Sequence, residues 1–306
     1  MVAHRQPLQG GGAGGCGCPV DAGGNPRGAI TVGGAVGTDI GTLTITNSGG
    51  TTFSSTVDAS TVTLSNTTGA ITFNGAVTAA TLNTAAQAYS VALNASSGTI
   101  TNAVTFSNTG SVTLGASGGT LAFTGGVVAT APSAVSVNGT VTAAGTGVIT
   151  LGDSDTGVTV GGSSTIGGTS TGVITLGAAT LADGVTLTVG TGIANAISLS
   201  SVSGTASGSA SNVTINTTGA VTASGAIGTD IGTLTITNSG GATFSGAVSV
   251  ATVAITSTTV SNAVTFNSDL SLTSGLTVGA GSAAYNVAIN GGTNTIAGTT
   301  NFANTG

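Results

Sequence analysis

Short runs in which apolar and polar residues alternate recur along residues 30–306. Thr42-Leu43-Thr44-Ile45-Thr46, Thr61-Val62-Thr63-Leu64, Ala70-Ile71-Thr72-Phe73, Val112-Thr113-Leu114 and Val185-Thr186-Leu187-Thr188-Val189 all follow this pattern. A period of two sends every second side chain to one face, so each run predicts a half-buried β-strand. Clusters such as Asn47-Ser48-Gly49-Gly50 separate the runs. Gly, Asn and Ser favour tight turns and left-handed backbone angles, so these clusters predict corners.

The runs repeat on two scales. Residues 34–50 read GAVGTDIGTLTITNSGG and residues 225–241 read GAIGTDIGTLTITNSGG, identical at 16 of 17 positions and 191 residues apart. Tyr89-Ser90-Val91-Ala92-Leu93-Asn94 then returns as Tyr285-Asn286-Val287-Ala288-Ile289-Asn290, and Asn108-Thr109-Gly110 returns as the last three residues. The offset has by then grown to 196, so the second copy carries extra residues between roughly 255 and 284. On the finer scale, Phe53 and Val57 recur as Phe73 and Val77 after 20 residues, and Leu93 continues that spacing. The same Phe-to-Val motif stands at 244–248, while Thr146–Gly152 and Thr171–Gly177 share TGVITLG at an offset of 25. Self-similarity of this kind marks a stacked-repeat architecture.

A period near 20, made of two or three short strands and Gly-rich corners, predicts one rung of an all-β parallel β-helix, a β-solenoid. The array is expected to be single, to occupy residues 30–306, and to have long repeats starting near 34 and 225. Rungs stack at about 4.8 Å, which gives about 13 or 14 of them in a rod on the order of 65 Å long. Val, Ile, Leu, Phe and Ala are expected inside, with stacked Asn and Thr at the corners adding side-chain ladders. The second long repeat stops partway, which predicts that the chain is a segment of a longer protein.

Composition sharpens this picture. There are 54 Gly, no Trp, and only 3% charged residues. The good exposed helix formers Lys and Glu are absent while Thr, Val and Ile abound, which disfavours helix. Disorder requires low hydrophobicity and high charge, whereas 39% of these residues are hydrophobic and the mean hydropathy is +0.50. Seven Phe and two Tyr cannot furnish the aromatic girdles of a membrane barrel. No apolar run reaches the roughly 18 residues of a membrane-spanning helix. A net charge of −6, with no cationic side chain after Arg27, argues against nucleic acid and anionic membranes as partners.

Residues 1–29 differ from the rest and read as a Gly-rich, disordered leader. They hold both arginines (Arg5, Arg27), the only histidine (His4), both cysteines (Cys16, Cys18) and three of four prolines. Cys16 and Cys18 stand too close for an ordinary structural disulfide and lack the second ligand pair of a zinc site. They read as idle thiols. No apolar segment follows the basic residues, so no secretory signal peptide is visible.

Chemistry-bearing residues are few. Asp153 and Asp155 are the only close acidic pair, and i, i+2 spacing would set both on one strand face. A glycan-cleaving site needs such carboxylates with Arg, Lys or His nearby, and none follows Arg27, so the pair reads as two solvated aspartates in a turn. The segments ending in Asp39 and Asp230 partly match the calcium nonapeptide GGxGxDxUx, but Ala replaces the second Gly and tandem copies are missing. A plain turn is the simpler reading. Thr42, Thr44 and Thr46 form a Thr-x-Thr strip like those of ice-binding solenoids; Thr61 and Thr63 extend it once and residues 81–95 do not continue it cleanly. Asn66, Asn94, Asn138, Asn212 and Asn216 begin glycosylation sequons, which this composition produces by chance. No catalytic, cofactor-binding or metal-ligating residue is assigned, and no cofactor is expected.

Runs such as GTLTITNSGG and TVTLSNTTGAITFNGAV resemble the β-strand repeats of filamentous-haemagglutinin-like and autotransporter-passenger surface proteins of bacteria. The resemblance covers residues 30–306 and is compositional and periodic. It implies a right-handed solenoid, an extracellular or cell-surface location, and a non-enzymatic structural or adhesive segment. Its partners would be host or environmental glycan and protein surfaces, or other copies met through the solenoid ends. An ice-binding Thr ladder and a polysaccharide-active β-helix are the alternatives.

Overall fold

The computed structural model describes residues 28–259 and 261–306. The leader lies outside the described residues except for Gly28 and Ala29, as do Cys16 and Cys18. Every regular element among the described residues is a β-strand, and every pairing is parallel. The strands wind into a β-solenoid of about 12 turns with about 22 residues each. At about 4.8 Å per turn the array is about 58 Å long. Turns are therefore somewhat longer and fewer than the 20-residue spacing predicted.

Each turn has three sides. The first runs from Ile30–Val32 through Thr51–Phe53, Ile71–Phe73 and Val91–Leu93 and on up the stack. The third side carries Gly126–Ala129, Val148–Leu151, Ile174–Leu176 and Ile197–Leu199 in register. The second, lying between them in chain order, carries Thr120–Phe123, Thr140–Ala143, Ser164–Gly168 and Thr186–Val189. Some strands run through a corner unbroken. Val248–Ile255, for example, pairs on two sides at once.

Turn length is uneven. The step from Thr51 to Ile71 takes 20 residues, and that from Val202 to Ile227 takes 25. Much of the excess in the long step lies between Gly204 and Ser211, where Ser207 and Gly208 have φ of 79° and 155°. A stack absorbs such loops because each turn needs only its neighbours in register.

The core is a column of inward side chains. Phe53, Phe73, Phe106, Phe123, Phe244 and Phe266 are all at most 1% exposed. Several polar groups at the corners are satisfied between turns. Ser48 Oγ and Thr67 Oγ1 lie 2.7 Å apart, and Thr67 Oγ1 also donates to the Ser48 carbonyl at 2.7 Å. Tyr89 Oη donates to the Leu64 carbonyl at 2.8 Å and accepts from the Ala85 N–H at 2.9 Å.

Three corners share one device. Thr156 Oγ1 reaches the carbonyls of Thr130 and Pro132 in the preceding turn, at 2.8 and 2.6 Å. Ser170 Oγ reaches those of Gly145 and Gly147 at 3.3 and 2.6 Å, and Thr217 Oγ1 those of Ile193 and Asn195 at 2.8 and 2.5 Å. In the latter two the hydroxyl also accepts the N–H two residues on, Gly172 or Gly219, at 2.9 Å. A buried carbonyl left unpaired is costly, so each hydroxyl staples a bend that sheet pairing cannot reach.

Candidate binding surface

Residues flanking an inward apolar side chain point outward, and parallel register stacks them turn on turn. On the third side Thr150, Thr175, Ser198, Thr222, Thr243 and Thr265 pair in unbroken succession. On the second side Ser97, Thr120, Thr140, Thr165, Thr188, Thr214 and Thr235 do the same, until Ala254 interrupts. The first side carries Thr113, Ser136, Thr159, Thr180 and Ser203. These side chains are half-exposed or exposed.

Part of the second side is two rows wide. Thr186 and Thr188 stack on Asn212 and Thr214, which stack on Thr233 and Thr235. The rows are about 6.6 Å apart along the strand and about 4.8 Å apart between turns. None of these positions is charged. The strip at Thr42 and Thr44 continues through Thr61 and Thr63 to Thr81 and Asn83, so it does extend beyond two turns. The longer ladders were missed in the sequence because uneven turns destroy a fixed repeat of 20.

Asn side chains add links between turns. Asn290 Nδ2 donates to Asn267 Oδ1 at 3.1 Å and Asn102 Nδ2 to Thr81 Oγ1 at 3.0 Å. These are the side-chain ladders that the composition leads one to expect.

Asp153 and Asp155 do not share a strand face. They lie in the turn before Gly157–Val160, and Asp153 Oδ1 accepts the N–H groups of Asp155 and Thr156, each at 2.9 Å. Those two bonds, Asp155 first, hold the Asp153 carboxyl below its ordinary value, since they favour the charged form. The carboxylate thus closes an Asx turn, with its lone pairs already aimed at backbone.

Asp39 and Asp230 both have left-handed φ, 67° and 59°. The fold keeps them far apart along the stack, and Asp39 shares an open groove with Asp58, Ser60 and Thr78 instead. Among the described residues no three His, Cys, Asp or Glu side chains come together as a metal site would need. The void bounded by Leu93, Gly98 and Leu121 measures about 10 Å³, room for no more than a water. No helix among the described residues is long and apolar enough to cross a membrane.

Comparison with protein-family models, curated proteins and solved structures returns no match.

Proposed function

We propose that this chain is a structural and adhesive rod, a segment of a secreted or surface-exposed bacterial repeat protein that presents uncharged hydroxyl faces to glycan or protein surfaces. The observation that carries this reading is the registered ladder from Thr150 to Thr265. A rod whose turns bury their side chains against one another keeps its outer faces straight. Rows of hydroxyls on a straight face can meet many sugar hydroxyls or peptide groups at once, each bond weak and the sum large.

A glycan and matrix-protein binding panel tests it. The expected result is retention of at least one ligand class by the intact chain, lost when Thr222 and Thr243 are both replaced by Asp with the circular dichroism unchanged. Ligand retention unaffected by those changes would overturn the assignment of the face. Sugar release that depends on Asp153 or Asp155 would replace it with a polysaccharide-active enzyme.

The double row at Thr186–Thr188, Asn212–Thr214 and Thr233–Thr235 favours a second reading, binding to ice. Regularly spaced hydroxyls in two rows, interrupted only by Asn212, could order water into an ice-like layer. Faceting of ice crystals by the chain, abolished by Thr214→Lys, would support it; round crystals would remove it.

A further inference from the structure

Corners between the second and third sides differ in length, and the difference shapes a groove. Val189, Ile215, Ile236, Ile255 and Val278 share one inward row of the second side. Ile197, Val221, Ala242, Val264 and Val287 share an inward row of the third. The corners that join these rows hold seven residues at 190–196, five at 216–220 and 237–241, and eight at 256–263 and 279–286. Register pins both ends of every corner, so the additional residues of the longer ones bulge outward. The two short corners thus form a floor between projecting rims.

The open groove that results measures about 600 Å³, within the roughly 300–1,000 Å³ typical of small-ligand sites. Asn216, Thr237 and Asn238 line its floor, and Thr256, Ser257 and Ser282 line one rim. It crosses four turns, a span of about 14 Å. The groove lies along the side of the stack, and the turn after it is present: Ala303 N–H donates to the Val278 carbonyl and Asn304 Nδ2 to the Tyr285 carbonyl, each at 2.8 Å. The rim is braced. Ser257 Oγ accepts the Ser282 N–H at 3.3 Å, and Tyr285 Oη donates to the Gly279 carbonyl at 2.5 Å. Gly281, with φ of 68°, packs so closely on the Tyr285 ring that a Cβ there would lie 2.8 Å from it. On the opposite side, Gly192 N–H donates to the Asn216 carbonyl at 2.8 Å and ties the floor to the seven-residue corner.

The lining selects a ligand class. It holds no charged residue, and no cationic side chain follows Arg27, so an anion would find no counter-charge. A peptide is held by a free strand edge or by apolar pockets. The flanking strands Ile231–Asn238 and Ala242–Phe244 are paired at both edges, and the lining has no large apolar side chain. It offers hydroxyls and carboxamides, which both donate and accept hydrogen bonds as sugar hydroxyls do. The side chains of Asn216, Thr237 and Thr256 make no hydrogen bond among the described residues, and Asn238 engages only its Oδ1, with the Ser239 N–H at 3.0 Å. We infer that this groove binds a short neutral oligosaccharide. The inference rests on the glycan half of the proposed function and deepens it, placing a concave site beside the flat row from Thr150 to Thr265.

Amide chemical-shift titration of the full chain with maltotriose, cellotriose, mannotriose and chitotriose tests it, with trigalacturonate as the acidic counterpart. At least one neutral trisaccharide should shift the amides of Asn216, Asn238 and residues 279–282 in a saturable way, and trigalacturonate should not. Replacing Asn216 and Thr256 together by Ala should weaken that binding at least tenfold. Ala280→Leu, which fills the groove and removes no hydrogen-bonding group, should abolish it, and it decides the question if circular dichroism shows the double variant misfolded. The Thr222→Asp, Thr243→Asp chain should bind in the groove as the unmodified chain does. Groove amides that none of the four sugars moves would overturn the inference, as would equal binding of trigalacturonate or undiminished binding by Ala280→Leu. Shifts confined to Thr222, Thr243 and Thr265 would also overturn it while leaving the flat hydroxyl face as the glycan site.

Discussion

Phe53 and Phe244 hold the same place in the duplicated sequence but lie on different sides of the solenoid. Phe53 pairs on the first side with Phe73, and Phe244 pairs on the third with Phe266. Each pair is stacked, with ring centroids 4.8 and 5.0 Å apart and planes within 3° and 11° of parallel. An offset of 191 residues is not a whole number of turns of about 22, so the copy enters the coil one side out of phase. That the same segment serves on either side identifies the side, one strand and one corner, as the interchangeable unit.

Phe53→Ala and Phe244→Ala should therefore destabilise the chain to a similar extent, about 3–5 kcal/mol each, since both rings are at most 1% exposed and both lose a stacked partner. Urea titration gives the magnitude. Hydrogen exchange should place the loss within a few turns of the substitution, because coupling in a stack runs through neighbours.

Two glycines should respond in opposite directions to alanine. A Cβ on Gly246 would lie 2.3 Å from the carbonyl carbon of Gly225 in the turn beside it. Backbone cannot retreat there without breaking the ladder, so Gly246→Ala should lower the melting temperature. Gly41 has nothing within 4 Å of such a Cβ and no left-handed φ. Gly41→Ala should be neutral or stabilise by about 0.4–1 kcal/mol through the unfolded state. Calorimetry on the two variants separates them.

Thr217→Val keeps the shape of a buried side chain and removes its hydroxyl. The Gly219 N–H loses its acceptor, and the Ile193 and Asn195 carbonyls lose a donor. The expected cost is about 1–3 kcal/mol. Exchange at the Gly219 amide should accelerate most, which a purely global loss of stability would not produce.

Alkaline pH should weaken the fold through Tyr89. Burial pushes its phenol upward, opposed in part by the Ala85 N–H, and burial raises Tyr285 as well. The folded state thus favours the neutral phenol. The resulting stability is fully present below the unfolded value near 10 and disappears as pH rises through the higher folded value. Melting temperatures should fall above about pH 10, and a Tyr89→Phe variant should show a shallower fall from a lower start.

Much of this was legible in the residues. The strands around Leu43–Ile45, Val62–Leu64 and Ile71–Phe73 follow from alternation alone, because a two-residue period has one satisfactory burial pattern. The 20-residue spacing holds between Thr51, Ile71 and Val91, where the turns really are that long. Beyond Val91 the corners vary in length and the fixed period loses the register. The hydroxyl ladders on Thr150 and Thr188 were invisible for that reason. Asp153 shows the complementary limit: its spacing to Asp155 suits a strand face, but its own carboxylate draws two backbone N–H groups into a turn.

Alternation, corner residues and duplication determined by themselves that this chain is an all-β coil of stacked repeats with an aliphatic and aromatic core. Those features act locally, through backbone sterics and the burial of every second side chain. Tertiary structure alone decided which side each segment occupies and which threonines share a row. Register is the cumulative sum of all preceding corner lengths, and inter-turn hydrogen bonding fixes that sum only once the whole coil is wound.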